Sequence, residues 1–149
     1  TRLGKEGKRE DAIALLRQTL ERYPQNEVLT FELARHLFIS TRSRSAAKRR
    51  ERMSEAADLF LFVAERTTDT NRRAWCYQFL TTICMVNSDY AQAEQYNNHL
   101  LTGRGIYPKV TAAVIALRLR SPDEAEYAMK NTMAESLYEY LYILILKRI

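Results

Sequence analysis

The sequence predicts an all-α protein, and three observations support that prediction. Glycine and proline, which interrupt helices, occur only four and three times in 149 residues. Runs of β-branched residues are scarce, whereas alanine, leucine, glutamate, arginine and glutamine dominate and favour helix. Apolar residues also recur at spacings of three and four, which places them on one face of a helix. We therefore expect helices nearly throughout the chain.

The composition is that of a globular protein, with 46% apolar and 28% charged residues. No stretch reaches the roughly 18 to 20 consecutive apolar residues that a bilayer span needs, and the N-terminal residues lack the apolar core of a signal peptide. Cys76 and Cys84 would lie about 12 Å apart along one helix, too far for a disulfide. These features favour one reduced, cytoplasmic domain with no membrane partner.

A pattern of three residues recurs along the chain at intervals of 44, 37 and 32 residues. Its first copy consists of Ala12, Leu16 and Thr19, which fall on one helix face, and Pro24 follows where that helix has ended. In such a pattern the small residue lets a neighbouring helix approach, and the large apolar residue fills the groove beside it. The later copies are Ala56, Phe60 and Val63; Ala93, Asn97 and Leu100; and Ala125, Met129 and Thr132.

Each later copy follows a candidate first helix, so the chain divides into helix pairs. The first helices carry the face residues Leu33, Ala34 and Leu37; Leu80, Thr81 and Cys84; and Ala112, Ala113 and Ala116. This pattern resembles the tetratricopeptide repeat (TPR) family, whose period is about 34 residues. Asn97 departs from the motif, because a large apolar residue is expected at its position. The resemblance implies an antiparallel helix-pair superhelix (α-solenoid) of about three to four repeats plus a C-terminal apolar helix.

We expect a single TPR-like domain over residues 1–149. The predicted boundaries are repeat 1, 1–26; repeat 2, 27–70, with a basic insertion at 41–52; repeat 3, 71–105; repeat 4, 106–134; and the C-terminal helix, 136–149. Residues 1–6 would hold only the last turn of a first helix, so the natural protein is expected to extend upstream of Thr1.

The C-terminal segment is apolar on two sides, along a stripe that includes Leu137, Leu141 and Leu144. Two alternatives stay open for it. It either caps the end of the superhelix or forms a contact surface for a second subunit, as in a homodimer, or for a missing segment.

No catalytic constellation is evident in the sequence. His36 and His99 lie on or near predicted helices without a cluster of ligand residues, which argues against a metal site. The two cysteines have no CxxC spacing and fit a buried helix face. The segment TGRGIYP lacks the longer glycine-rich run and the lysine of a phosphate-binding loop. We therefore expect no enzyme, no catalytic residue, no metal and no cofactor.

The basic insertion contains six cations and one carboxylate, and we expect it between the two helices of repeat 2. The cations are Arg42, Arg44, Lys48, Arg49, Arg50 and Arg52. One hypothesis is that they contact nucleic-acid phosphates through counterion release, or an acidic partner. The alternative is a solvated loop followed by an N-terminal extension of the next helix. No aromatic residue is interleaved with the charges, so base stacking is not indicated.

In a TPR superhelix the first helix of each repeat lines the concave surface, where ligands bind as extended or helical peptides. By register, the resemblance implies the lining residues Phe31, Arg35, Phe38, Gln78, Thr82, Met85, Val110 and Val114. A groove of this mixed aromatic and polar character suits a peptide with apolar side chains. For Phe31 and Val114, packing against neighbouring helices is an equal alternative.

Residues 7 to about 119 also resemble the C-terminal helical region of bacterial transcription regulators with an N-terminal, lambda-repressor-like (Xre) helix-turn-helix. The resemblance rests on the order of a YP-x-N turn, a Thr/Asp turn before the third repeat, and SDYAQAEQYNNHL. It implies a protein- or peptide-binding regulatory module for sensing or dimerisation, with DNA bound mainly by an upstream domain. The alternative is a general TPR interaction scaffold unrelated to DNA.

Overall fold

The computed structural model describes residues 2–102 and 106–120, together with 123, 124, 126, 127, 130 and 134. In this part of the chain the regular structure is helical and contains no strand, which confirms the all-α prediction. The helices are α1 (Arg2–Arg22), α2 (Glu27–Ser40), a short 3-10 helix (Thr41–Ser43), α3 (Ala46–Arg66), α4 (Thr70–Val86), α5 (Tyr90–Asn98) and α6 (Ile106–Leu119). The chain forms two compact units, Thr1–Ile83 and Cys84–Ile149.

Side-chain caps fix where several helices begin. Asn26 before α2, Asp69 before α4 and Asp89 before α5 each accept hydrogen bonds from backbone N–H groups of the following helix, at 2.9 to 3.2 Å. These bonds satisfy donors that have no partner in the first turn of a helix. Helix α3 differs, because Ser45 at its N-cap position makes no side-chain capping bond.

The core of the first unit lies where α2 packs on both α1 and α3. The repeat pattern predicted the buried faces of α2 and α3 correctly. The buried face residues are Leu33, Ala34 and Leu37 of α2 and Ala56, Phe60 and Val63 of α3. On α1 the predicted residues Ala12, Leu16 and Thr19 are only half-buried, and Ile13 is the buried apolar residue of that helix.

Four phenylalanine rings join α4 to α2 and α3. The rings of Phe60 and Phe79 stack with centroids 4.6 Å apart and 6° between their planes. Phe31 meets both rings edge-on at 5.9 and 6.5 Å, and Phe38 meets Phe79 at 5.2 Å. Aromatic pairs at such distances stabilise by about 0.5–1.5 kcal/mol beyond the burial of their area. Ring contacts therefore hold α4 against α2 and α3 within the first unit.

Two ion pairs connect α1 to α3, one with its carboxylate on α1 and the other with its carboxylate on α3. The Glu10 carboxylate accepts two hydrogen bonds from Arg52, both at 2.7 Å, and Arg17 donates to Glu55 at 2.6 and 2.9 Å. Glu10 also pairs with Arg44 at 2.6 Å. The hydrogen bond from Arg52, with a smaller contribution from Arg44, lowers the pKa of Glu10 from 4.5 to about 2. Glu10 thus fixes the second turn of α3 and the segment just before α3 to α1.

In the second unit α5 packs on α6 around small side chains, including Ala93, Ala113 and Ala116. Asn97 is also buried there, and its Nδ2 donates to the carbonyl oxygen of Pro108 at 2.8 Å. This bond explains why an amide occupies a position where the repeat motif has a large apolar residue. Pro108 is tolerated because it lies in the first turn of α6, where no backbone N–H is required.

The observed helix bounds bear on three features of the predicted repeat pattern. No helix ends within residues 1–6, because α1 continues from Arg2 through two glycines whose cost of about 1 kcal/mol each is offset by the helix-favouring residues around them. Residues 46–52 of the basic insertion form the first turns of α3, which agrees with the alternative of an N-terminal extension of that helix and with the helix preference of their alanine, lysine, arginine and glutamate residues. Helix α5 ends at Asn98 in a tight turn, so Leu100 does not extend its face.

We expect Phe60→Ala to lower the free energy of unfolding by about 3–5 kcal/mol, because Phe60 is fully buried and contacts two other rings. Urea unfolding followed by circular dichroism measures this change. Phe62→Ala is a matched control on the same helix, since Phe62 is half-buried and is covered mainly by Arg66 at 3.9 Å from its ring centroid. An equal loss in the two variants would contradict a central role for Phe60.

We expect Glu10→Gln to destabilise the protein near neutral pH and to have almost no effect near pH 2. Because the pKa of Glu10 is about 2 in the folded state and 4.5 in the reference state, its contribution is present above pH 4.5 and is lost as the pH falls towards 2. A shift of this size in a shielded group corresponds to about 3 kcal/mol. Glu10 is 37% exposed, so solvent screening reduces the expected loss to about 1 kcal/mol.

The measurement is urea unfolding of both proteins across that pH range. Glu65→Gln is the control, because Glu65 is exposed and its carboxylate lies 3.7 Å from Arg66 of the same helix. A destabilisation by Glu10→Gln that stayed constant down to pH 2 would refute the assignment.

Candidate functional site

An open cavity of about 390 Å³ lies between α2 and α4 in the first unit. Phe31, Arg35 and Ile39 line it from α2, and Trp75 and Phe79 line it from α4. Each set is spaced by four residues, so each forms one stripe along its helix. The floor is rigid, because the rings of Phe31 and Phe79 belong to the phenylalanine cluster of the core.

Trp75 supplies exposed apolar surface at the mouth of this cavity. Its side chain is 57% exposed, and its ring lies 6.1 Å from the ring of Phe79 in a tilted arrangement. A large aromatic ring in this position contributes contact area for a partner and loses little conformational entropy on binding. Trp75 is also the only tryptophan in the sequence, so its fluorescence reports on this site alone.

Arg35 gives the cavity wall a positive charge that is partly neutralised. Its guanidinium donates to Glu32 on the preceding turn of α2 at 2.6 Å, and both side chains are partly exposed to solvent. An exposed pair of this kind contributes at most about 1 kcal/mol and exchanges readily. Arg35 is therefore available to a carboxylate or carbonyl group of a ligand that competes with Glu32.

The chemistry of this cavity suits binding. Four of its five lining side chains are apolar or aromatic, and the fifth, Arg35, carries a guanidinium group, which donates hydrogen bonds and accepts none. Concave apolar surfaces with one or two polar groups are typical of sites that hold a peptide or small-molecule ligand in one orientation. None of the lining residues is a nucleophile or a general base.

The structure brings together only part of the predicted groove. Phe31 and Arg35 line the cavity, whereas Phe38 packs its ring on Phe79. Gln78 and Thr82 are half-buried and lie about 100° and about 60° around α4 from Phe79, on the same side of it, and the Thr82 hydroxyl donates to the Gln78 carbonyl oxygen.

Sequence reasoning missed three lining residues, which are Ile39, Trp75 and Phe79. The aromatic pair at spacing four, Trp75 and Phe79, was the available signal on α4. The predicted face of α4 and the face that lines the cavity differ in phase by one residue.

The remaining predicted groove residues belong to the second unit. Met85 is half-buried, and Val110 and Val114 are exposed on α6. Val110 and Val114 form part of an exposed apolar stripe with Tyr107 and Leu117, at spacings of three and four along α6. The predicted subunit-contact residues Leu137, Leu141 and Leu144 lie outside the described residues.

The six predicted basic residues divide into two groups. Arg44 and Arg52 are half-buried and both pair with Glu10, so they serve the internal contact between α1 and α3. The exposed group consists of Arg42, Lys48, Arg49 and Arg50. The sequence alone did not reveal this division, because Glu10 lies 42 residues from Arg52.

The cysteines are free thiols in buried or half-buried positions. Cys76 is fully buried and Cys84 is half-buried. Burial raises the pKa of Cys76 to about 12, and burial with a smaller contribution from Asp89 raises the pKa of Cys84 to about 11. Neither thiol is activated as a nucleophile, since activation requires a lowered pKa.

His36 lies on α2 with its Nδ1 buried and without a hydrogen-bond partner among the described residues. Partial burial first, and then the charges of Arg35 and Arg9 against the opposing effect of Glu32, hold the pKa of His36 below its ordinary value. His99 forms the C-cap of α5 and is exposed.

Within the described part of the chain, no group of three or more histidine, cysteine or carboxylate side chains is arranged to hold a metal ion. The helices described here also include none with the length and hydrophobicity needed to cross a bilayer.

No known protein family matches the chain, and no curated protein or solved structure matches it either.

We expect both thiols to react slowly with Ellman's reagent at mildly alkaline pH. Cys76 should react at least about a hundredfold more slowly than an unfolded thiol, because burial suppresses both its thiolate and its access to reagent. Cys84, which is half-buried, should react faster than Cys76. The variants Cys84→Ser and Cys76→Ser separate the two rates, and guanidinium-unfolded protein gives the reference. A fast reaction of native Cys76 would contradict its burial.

Proposed function

We propose that this protein is a peptide- or protein-binding module built from TPR-like antiparallel helix pairs, and that it binds its partner at the cavity between α2 and α4. The observation that carries the proposal is the open cavity lined by Phe31, Arg35, Ile39, Trp75 and Phe79. It combines exposed aromatic surface with one cation and contains no catalytic group. A regulatory or scaffolding role by binding therefore accounts for it better than an enzymatic role.

The packing of consecutive helices supports the repeat part of the proposal. Helix α2 packs on α3, and every member of the two residue sets that the repeat pattern placed on one face of each helix is buried. Helix α1 packs on α2 and α5 packs on α6, which is the nearest-neighbour packing of a helical repeat protein.

The chemistry of the cavity favours one kind of ligand. Phe31, Ile39, Trp75 and Phe79 suit a large apolar side chain, and Arg35 suits a carboxylate or a backbone carbonyl beside it. The preferred ligand is therefore a peptide with an apolar anchor followed or preceded by an acidic group. Its carboxylate would replace Glu32 as the partner of Arg35.

The resemblance to Xre-type regulators extends the proposal to a cytoplasmic sensor or dimerisation domain of a bacterial transcription regulator, with DNA bound by an upstream domain. The expected mechanism is a population shift, in which a ligand that favours one helix arrangement or one dimer arrangement changes how the attached domain is presented. The alternative is a general TPR scaffold. Peptide mapping of the native protein upstream of Thr1 distinguishes them, since a helix-turn-helix supports the regulator and further repeats support the scaffold.

We expect peptides with an aromatic or large aliphatic residue next to a carboxylate to shift the fluorescence maximum of Trp75 to shorter wavelength. The physical reason is that such a ligand covers an indole that is 57% exposed. A peptide library titrated by this signal identifies ligands, and anisotropy of a labelled hit then gives its affinity.

Two substitutions test whether the cavity is the site. Arg35→Glu and Trp75→Ala should each weaken binding of the labelled hit at least about tenfold, as expected for central contact residues. Leu15→Ala is the matched control, because Leu15 is an exposed apolar residue on α1 that does not line the cavity. Equal effects of all three substitutions, or no hit in the library, would overturn the proposal.

A further inference from the structure

We propose that the start of α3 and the 3-10 helix before it form a second binding surface, which takes the phosphate backbone of a nucleic acid without reading its sequence. This basic surface consists of Arg42, Lys48, Arg49 and Arg50. The inference does not depend on the proposed peptide-binding function, because it uses other residues.

The four residues of the basic surface are exposed, and within the described residues none of them pairs with a carboxylate. The arginines next to them show the contrast. Arg44 and Arg52 in the same stretch are half-buried and share Glu10 at 2.6 and 2.7 Å. The fold therefore uses two cations of the stretch for its own stability and leaves four directed to solvent.

The position of these charges is unfavourable for α3 itself. Lys48 and Arg49 lie in the first turn, where the helix dipole is positive, and that turn contains no acidic residue. Each cation near a helix N-terminus costs about 0.3–1 kcal/mol instead of contributing stability. Ser45 makes no capping bond that would compensate. An external anion relieves both the repulsion between the cations and the uncompensated dipole.

The basic surface is also held in place before any partner binds. Glu10 fixes Arg44 and Arg52, which lie on either side of Lys48, Arg49 and Arg50 along the chain, to α1. Arg52 donates in addition to the buried Ser40 hydroxyl at 2.6 Å, and Arg49 donates to the carbonyl oxygen of Arg44 at 3.3 Å. The charges are thus presented from a fixed backbone, which lowers the entropy cost of binding.

The residue types favour phosphate over an acidic protein as the partner. Three of the four cations are arginines, whose planar guanidinium groups bind phosphate oxygens through two parallel hydrogen bonds. The other exposed residues of the stretch are Ser45, Ala46, Ala47 and Glu51, so no large apolar side chain is available as an anchor for a protein partner. The absence of an exposed aromatic ring there also removes base stacking.

The test is fluorescence anisotropy of the full 149-residue chain with labelled duplex DNA of mixed sequence, repeated with duplex RNA. We expect binding to one or both at low salt, with a slope of about −3 in a plot of log affinity against log salt concentration, as three to four neutralised phosphates predict. Arg49→Glu combined with Arg50→Glu should weaken binding at least about tenfold.

The control removes the same amount of charge elsewhere. Lys5→Glu combined with Lys8→Glu alters two exposed lysines of α1 and should weaken binding less than Arg49→Glu with Arg50→Glu does, because these lysines lie outside the basic surface. Far-UV circular dichroism and thermal unfolding confirm that each variant is folded, and Arg49→Gln with Arg50→Gln provides a milder pair if the first does not fold.

Three results would overturn the proposal. The first is no binding at low salt, and the second is an equal loss in the two charge-reversed pairs, which would mean that net charge alone attracts the nucleic acid. The third is displacement of the duplex by polyglutamate at matched charge concentration, which would assign the surface to an acidic protein.

Discussion

The stack of Phe60 on Phe79 is the contact on which the first unit depends. Among the described residues this pair is the one ring contact between α4 and α3. The edge-on contacts of Phe31 and Phe38 are arranged around it. Because flat rings separate helix axes more than small side chains do, α2 and α4 leave a gap beside the stack. The candidate binding cavity occupies that gap, so the site follows directly from the packing of the core.

The charged residues of the first unit fall into two groups, those paired within the fold and those exposed to solvent. Glu10 neutralises the two arginines that touch the body of the unit, and Arg17 is neutralised by Glu55 one turn further along α3. These pairs orient α1 on α3. The cations of the basic surface have no such partner among the described residues, so their charge is available to bind an external anion.

The sequence was informative where a residue's role depends on its own helix. Leu33, Leu37, Phe60 and Val63 were assigned to buried faces correctly, because spacings of three and four determine which residues share a side. It was less informative about contacts between helices. Trp75 and Phe79 were missed because the phase of α4 relative to α2 is set by ring packing, and the partner of Arg52 lies 42 residues away. The spacing of residues within one helix determines neither the phase of α4 relative to α2 nor the partner of Arg52.

Asn97 gives the second unit a property that its apolar contacts do not provide. Alanines such as Ala93 and Ala113 would pack almost as well if α5 slid by one turn along α6, because small side chains are alike. The Asn97 amide would then leave the Pro108 carbonyl and be buried with no partner, at a cost of about 1–3 kcal/mol. One buried hydrogen bond therefore selects a single register for α5 on α6. A polar amide at this position contributes less to the stability of the interface than an apolar side chain would, but it specifies one alignment of the two helices.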